Sequence, residues 1–431
     1  MAAGLSAMIP HPTPKILKNV PRFGRFPKGL LAAVALLALA GCAGLGTANS
    51  ATAEAPTKWM DAWGTSYLPA VINGAPSRAQ TFDHQTLRLN VFAKLGGMQA
   101  RVKFTNKFGA EPLQIGAAHI ALRTSGPAID PASDRPLTFS GAPSVTLAPG
   151  EEIWSDPANI TIAQHSDVAI SVYVPQTIKP TAFHPTGLKT MYLSGPGDFT
   201  AAPTLARPAR NPTMTALYFV SDLQVMAPSR TEVIVAFGDS ITDGAAADID
   251  TNTSWPDQLS QRLSARADGT PVAVINMGIG SNRLVSADAA GPAGVKRFDD
   301  DVLSRPNVTH IIVLEGINDI SYESASPEQL IGAYRQLIAK AHAKGIKIYG
   351  ATLLPILNSV KYTVPNEATR AAVNQWMRTS HEFDAVLDFE AAVRDPANPL
   401  SIRSDVTRDH VHPTSAGYKL IADSIDLSLF N

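Results

Sequence analysis

Ser240 and an Asp-His segment near the C-terminus are the residues of this chain whose types could do chemistry together. Ser240 lies in Val235-Ala236-Phe237-Gly238-Asp239-Ser240-Ile241-Thr242-Asp243-Gly244, directly after an apolar run, and the second segment is Asp409-His410-Val411-His412-Pro413. A serine hydroxyl is a poor nucleophile until a base removes its proton, and that base needs a carboxylate to hold its tautomer and stabilise the imidazolium. Asp409 and His412, three residues apart, can supply orienter and base from one local segment, so only the serine must arrive from far away. Gly-Asp-Ser is also ordinary turn chemistry. Here it follows Glu232 to Phe237, which reads as a buried strand, and precedes Trp255 to Arg266, which reads as an amphipathic helix. A serine at the C-terminal end of a strand in an α/β sheet stands where such folds place their sites.

Gly238-Asp239-Ser240, Gly316-Ile317-Asn318-Asp319 and Asp409-x-x-His412-Pro413 resemble, in order and spacing, three motif blocks of the SGNH, or GDSL, hydrolase superfamily. Asn276-Met277-Gly278-Ile279-Gly280-Ser281-Asn282-Arg283 resembles the block that supplies the family's oxyanion-hole glycine, with serine at 281 where many members have glycine. The resemblance implies Ser240 as nucleophile, His412 rather than His410 as base and Asp409 as its partner. It also implies an oxyanion hole from the amides of Ser240 and of Gly280 or Ser281 with the Asn318 side chain. Asp239, next to the nucleophile on a tight turn, is expected to shape that turn through backbone amides. Asp319 supports it; both Asn318 and Asp319 could otherwise be capping or turn residues. Asn282 and Arg283 are candidates for meeting a carboxylate or sugar hydroxyl, and Trp255 could lie near the site's mouth. The Asp-His cluster could in principle ligate a metal, but no second ligand cluster appears in the sequence, and neither metal nor other cofactor is expected.

From Thr231 the pattern alternates strands and helices, with strands expected at Glu232–Phe237, Val272–Met277, Thr309–Leu314, Ile346–Leu353 and Ala385–Phe389. A helix between the third and fourth is well signalled: Ser326 caps it, Pro327 takes the first turn, Leu330, Tyr334, Leu337, Ile338 and Ala341 form one face, and Gly345 stops it. This predicts an α/β domain over 229–431, a flavodoxin-like three-layer arrangement around a parallel sheet, which the resemblance also implies. Ser240, the Gly278–Ser281 turn and Asn318 then follow the first three strands and emerge at one sheet edge. Residues 58–228 differ in character. Runs such as Thr86–Phe92, Gln99–Phe104, His119–Arg123 and Asp167–Val174, punctuated by Gly-rich turns, predict an all-β sandwich or jelly roll. Trp59–Ser66, Phe104–Gly109 and Trp154–Pro157 resemble a β-domain attached to some secreted GDSL esterases; it could bind polysaccharide or shield and position the active-site rim.

Residues 1–41 carry Lys15, Lys18, Arg22, Arg25 and Lys28 before the apolar stretch from Leu30 to Ala40, which is signal-peptide architecture. Cys42, the only cysteine, follows Leu39-Ala40-Gly41 and resembles a lipobox; Ala51-Thr52-Ala53 in the 42–57 linker is a rival cleavage site. Either way the chain is expected outside the cytoplasm, as a periplasmic or cell-envelope lipoprotein attached through lipidated Cys42, or secreted. The 36 basic and 37 acidic residues nearly cancel, so no basic field points to nucleic acid. Apolar residues make up 45% of the chain, and a single cysteine allows no disulfide scaffold, so stability rests on core packing.

The sequence thus leads to a serine esterase for small-molecule or carbohydrate esters: the resemblance to secreted esterases implies short acyl, often acetyl, groups, and the lack of an evident long apolar lid disfavours a triglyceride lipase. A lipase or phospholipase, thioesterase or acyltransferase of the same fold is the alternative. A non-catalytic carbohydrate-binding envelope protein is the alternative of another class.

Overall fold

The structure, a computed structural model, describes residues 56–69, 79–205, 213–287 and 291–430. The expected signal segment, Cys42 and nearly all of the linker lie outside them. No helix among the described residues is long and apolar enough to cross a membrane.

Before Glu232 the described chain is almost wholly strands, in two larger antiparallel sheets. In one, Ser166–Ile178 lies between Phe82–Ala93 and Ala117–Ser125, so that Ile170 faces Leu89 on one side and Ile120 on the other. In the other, Val220–Pro228 lies between Thr57–Gly64 and Gly97–Thr105. Alternation puts Leu87, Leu89, Val91, Val168, Ile170 and Val172 of the first sheet, and Ala100, Val102, Phe104, Leu223 and Val225 of the second, into one fully buried cluster. The expected sandwich or jelly roll is borne out as far as this β-rich, antiparallel architecture.

The second sheet turns carboxylates towards the rest of the protein. Asp61 and Asp222 meet Arg305 at 3.0 and 2.6 Å, all three almost fully buried. Burial opposes the guanidinium's charge, but the two carboxylates outweigh it and hold Arg305 protonated above its ordinary range.

After these sheets comes a parallel one. Its strands are β1 (Glu232–Gly238), β2 (Val272–Gly278), β3 (Val308–Leu314), β4 (Lys347–Ala351) and β5 (Ala385–Leu387), in the order β2-β1-β3-β4-β5. That is a doubly wound order with its switch point beside β1. β1 is Val/Ile-rich and buried along nearly its whole length, as a central parallel strand must be. Among its helices are α1 (Ser240–Asp243), α2 (Trp255–Ser264), α3 (Ile317–Glu323), α4 (Pro327–Ala343), α5 (Val364–Ser380) and α6 (Ser415–Ser424). α4 starts where its signals predict, with Ser326 and Gln329 forming a reciprocal capping box. β5 is shorter than expected because Asp388 accepts the Ala391 N–H and opens a short helix at Phe389.

Register matters most for the site. Gly238 of β1 pairs with Gly278 of β2 and with Leu314 of β3, so all three strands end in one row.

Candidate active site

The segments leaving that row carry the residues singled out by chemistry. After β1 the chain turns at once into α1. Asp239 caps it, Oδ1 accepting the Ile241 N–H at 2.9 Å, and Ser240 takes the first helical position. The turn is so tight that a Cβ on Gly238 would stand 2.1 Å from the Leu314 carbonyl oxygen, and one on Gly278 2.1 Å from the Asp243 nitrogen. Only glycine lets the turn that carries Ser240 press against both neighbouring strands.

His412 comes from the segment before α6. Its Nε2 stands 2.8 Å from Ser240 Oγ, and its Nδ1 is 2.6 Å from Asp409 Oδ2. Asp409 Oδ1 accepts the backbone N–H of Val411 and of His412 at 3.0 and 2.8 Å. Partial burial would raise the Asp409 carboxyl, but these amides and the His412 ring more than offset it and bring it down to about 2. The carboxylate is therefore ionised and its orientation set by three donors. His410 sits at φ +61° and makes no bond to Ser240; its N–H goes to Thr407 Oγ1.

Gly280 and Ser281 follow β2. Among the described residues neither N–H donates to a backbone carbonyl. Ser281 lies at φ +63°, a left-handed conformation that costs a residue with a Cβ about 1 kcal/mol, which explains why glycine is the easier occupant. Asn318 opens α3. Its Nδ2 donates to the Asn282 carbonyl at 2.9 Å and stands 3.5 Å from Asp239 Oδ2. Asp319 accepts the N–H of Leu284 and of Val285 at 2.7 and 2.8 Å, tying the segment after Ser281 to α3.

Three sequence candidates have partners within the protein. The Asn282 side chain is buried, donating to the Pro292 carbonyl and accepting from Arg297 Nε at 2.6 Å, so it faces the protein and not a substrate. Arg283 pairs with Glu323 and leans on the Tyr322 ring. Trp255 is a fully buried core residue packed edge-on against Phe389, so it lines no surface opening.

Composition and motif spacing gave no notice of three further residues. Arg297, almost fully buried, donates to the Gly238 and Met277 carbonyls at 2.8 Å each and to Asn282 Oδ1, and stacks on Phe237. It thereby braces the ends of β1 and β2 and the loop after β2 with one side chain. His184, from the β-rich region, is buried against Asp243 of α1 at 3.1 Å, while its Nδ1 meets the Ser66 carbonyl at 2.9 Å. Burial disfavours its charge, yet Asp243 more than compensates and raises it. Glu315, at the end of β3, is fully buried with Arg297 Nη2 at 3.4 Å.

Burial pushes the Glu315 carboxyl up to about 8; Arg297 opposes this and Asp239 and Asp319 add to it. With its folded value above the unfolded one near ~4.3, Glu315 contributes stability that is fully present below that pH and is lost as pH rises through about 8. Glu315→Gln removes this slope. In urea unfolding, the variant should gain on the wild type by on the order of 2–4 kcal/mol between pH 5 and pH 8. An equal gap at both values would mean that Glu315 is ionised throughout.

Residues 236–420 match the model of the GDSL-like lipase/acylhydrolase family. No curated protein matches the chain. Among solved structures it is similar to a member of the lipolytic protein G-D-S-L family from Veillonella parvula, at 20% identity, covering 45% of this chain and 95% of that one, with a TM-score of 0.35. It is also similar to a carbohydrate acetylesterase family member from Sinorhizobium meliloti (15%, 46% and 97%, 0.38) and to the M. smegmatis aryl esterase (16%, 45% and 95%, 0.37). The region that carries Ser240, Asn318 and His412 belongs to the GDSL-like lipase/acylhydrolase family, and the protein is a hydrolase acting on ester bonds.

Proposed function

We propose that the protein is a serine esterase that cleaves short acyl esters, acetyl esters of carbohydrates among them, through an acyl-enzyme on Ser240. The observation that carries this reading is the hydrogen-bonded chain from Ser240 through His412 to Asp409, at 2.8 and 2.6 Å. His412 Nε2 takes the Ser240 proton as Oγ attacks the ester carbonyl, and Asp409 stabilises the imidazolium. Negative charge on the carbonyl oxygen is met by the Ser240 amide, the Gly280 or Ser281 amide and Asn318 Nδ2. The imidazolium gives its proton to the leaving alcohol, and a water activated by the same ring releases the acid. In this reading Asp239 and Asp319 are supports, and His184 is how the β-rich region buttresses the helix of the nucleophile. Its two sheets would form a sandwich with that supporting role. Export, with or without lipidation of Cys42, rests on the N-terminal pattern.

The short-acyl preference is tested with p-nitrophenyl esters from acetate to octanoate, alongside acetylated xylan. kcat/KM should be highest for acetate or propionate and fall by about 10-fold or more at octanoate, in keeping with ~1.4 kcal/mol or more of lost fit. A second reading, longer apolar esters, draws on Tyr322, Val360 and Val364, which are 57, 99 and 73% exposed. An activity that rises steadily to octanoate selects it.

A further inference from the structure

The Lys361 side chain is almost fully buried, and its Nζ donates to Asn318 Oδ1 at 2.7 Å. An ammonium can only donate, so the atom of the Asn318 amide that faces it must be the oxygen. The other end of that amide is settled independently, because the Asn282 carbonyl at 2.9 Å can only accept. Between them these partners leave Asn318 a single orientation, with an N–H end beside Asp239 and the nucleophile turn.

Lys361 is itself held in place. Its carbonyl accepts from Asn366 Nδ2 at 2.8 Å, its N–H donates to Ser359 Oγ at 3.2 Å, and its Nζ lies 4.2 Å from the centre of the Tyr322 ring. Asn366 stands in the first turn of α5, whose cap is Thr363, so the lysine is fastened to a helix start and not to a free loop. Burying a lysine is costly unless the site uses its charge. A positive charge on an amide oxygen draws electrons from the amide nitrogen and makes its N–H groups stronger donors.

We infer that Lys361 is a positioning residue for the ester hydrolysis proposed above: it locks and polarises the Asn318 amide so that its N–H meets the oxyanion. The inference rests on the acyl-enzyme reading, and its effect belongs to the transition state, where the charge develops, and not to substrate binding.

The test is a double-mutant cycle on the full chain, with p-nitrophenyl acetate as substrate. Lys361→Met should lower kcat by about 10- to 100-fold with KM within about threefold, and Asn318→Ala should lower kcat by about 100- to 1,000-fold. In the Asn318→Ala background, Lys361→Met should cost nothing more, because the group it acts through is gone. Lys361→Gln, whose amide can still donate to Asn318 Oδ1 but carries no charge, should recover only the part of the loss that comes from orientation and also serves if the Met variant does not fold. The inference is overturned if Lys361→Met keeps full kcat, if its loss lies in KM, or if the same multiple is lost with and without Asn318. Fluorophosphonate labelling of the wild type separates the two levels: a well-folded protein that takes no label ends the acyl-enzyme reading itself, whereas a labelled protein with an uncoupled Lys361 ends only this inference.

Discussion

Ser240→Ala should reduce ester turnover by about 10⁴- to 10⁶-fold while leaving the fold intact. The side chain is half-buried and, among the described residues, its Oγ is bonded to His412 alone, so removing the oxygen leaves no buried donor stranded in the core. The Ala variant should unfold within about 1 kcal/mol of the wild type, since the methyl group suits the first position of α1 and the Asp239 cap is untouched. His412→Ala should cost a similar factor, and the double variant should be no worse than either single one, because in the proposed mechanism nucleophile and base act as a unit. Covalent labelling by a fluorophosphonate should vanish in Ser240→Ala and survive in a control such as Ser415→Ala. Residual turnover above about 1% in Ser240→Ala would remove this serine from the mechanism.

The second large effect is on stability. Arg297→Met should destabilise the protein by about 3–5 kcal/mol, the usual result of deleting one member of a buried charged network. Its guanidinium bonds two strand-end carbonyls, Asn282 Oδ1 and Asp301 at 3.1 Å, and every one of these acceptors is buried. Arg297→Lys should recover only part of the loss, since a single ammonium cannot span β1, β2 and the loop after β2 together. Urea unfolding measures the first expectation. Activity measured well below the midpoint should also fall in the Met variant, because the braced strand ends deliver Ser240 and the Gly280–Ser281 turn. A change below about 1 kcal/mol would mean that the backbone holds those ends unaided.

Much of the α/β sheet was legible because its signals are local. A central parallel strand such as β1 reads as an unbroken apolar run, and α4 announces itself through Ser326, Pro327 and a 3.6-residue face. β5 was misread at its end because Asp388 makes a cap there, a contest between strand propensity and capping that periodicity does not resolve. Trp255 and Asn282 are interior residues for a related reason: their size or polarity fits either a site or a core, and burial decides between them; Arg283 is only half-buried, held by Glu323 and the Tyr322 ring.

Ser240, Asn318, Asp409 and His412 could be named from the sequence because each motif carries its chemistry within a few neighbouring residues. For Ser240, the Gly278–Ser281 turn and Asn318 the chain alone also made convergence expected, since strand-end loops of a parallel sheet share an edge. Only the tertiary structure decided what holds them there. Arg297, His184 and Lys361 belong to no motif with the residues they serve and act across a long stretch of chain on a carbonyl, a carboxylate or an amide oxygen, while Glu315 accepts from the Arg297 guanidinium. A lone Arg, His, Glu or Lys in sequence is an ordinary surface residue. It becomes part of a site when folding strips away its water and leaves it a particular partner, and that is a property of packing that no local pattern encodes.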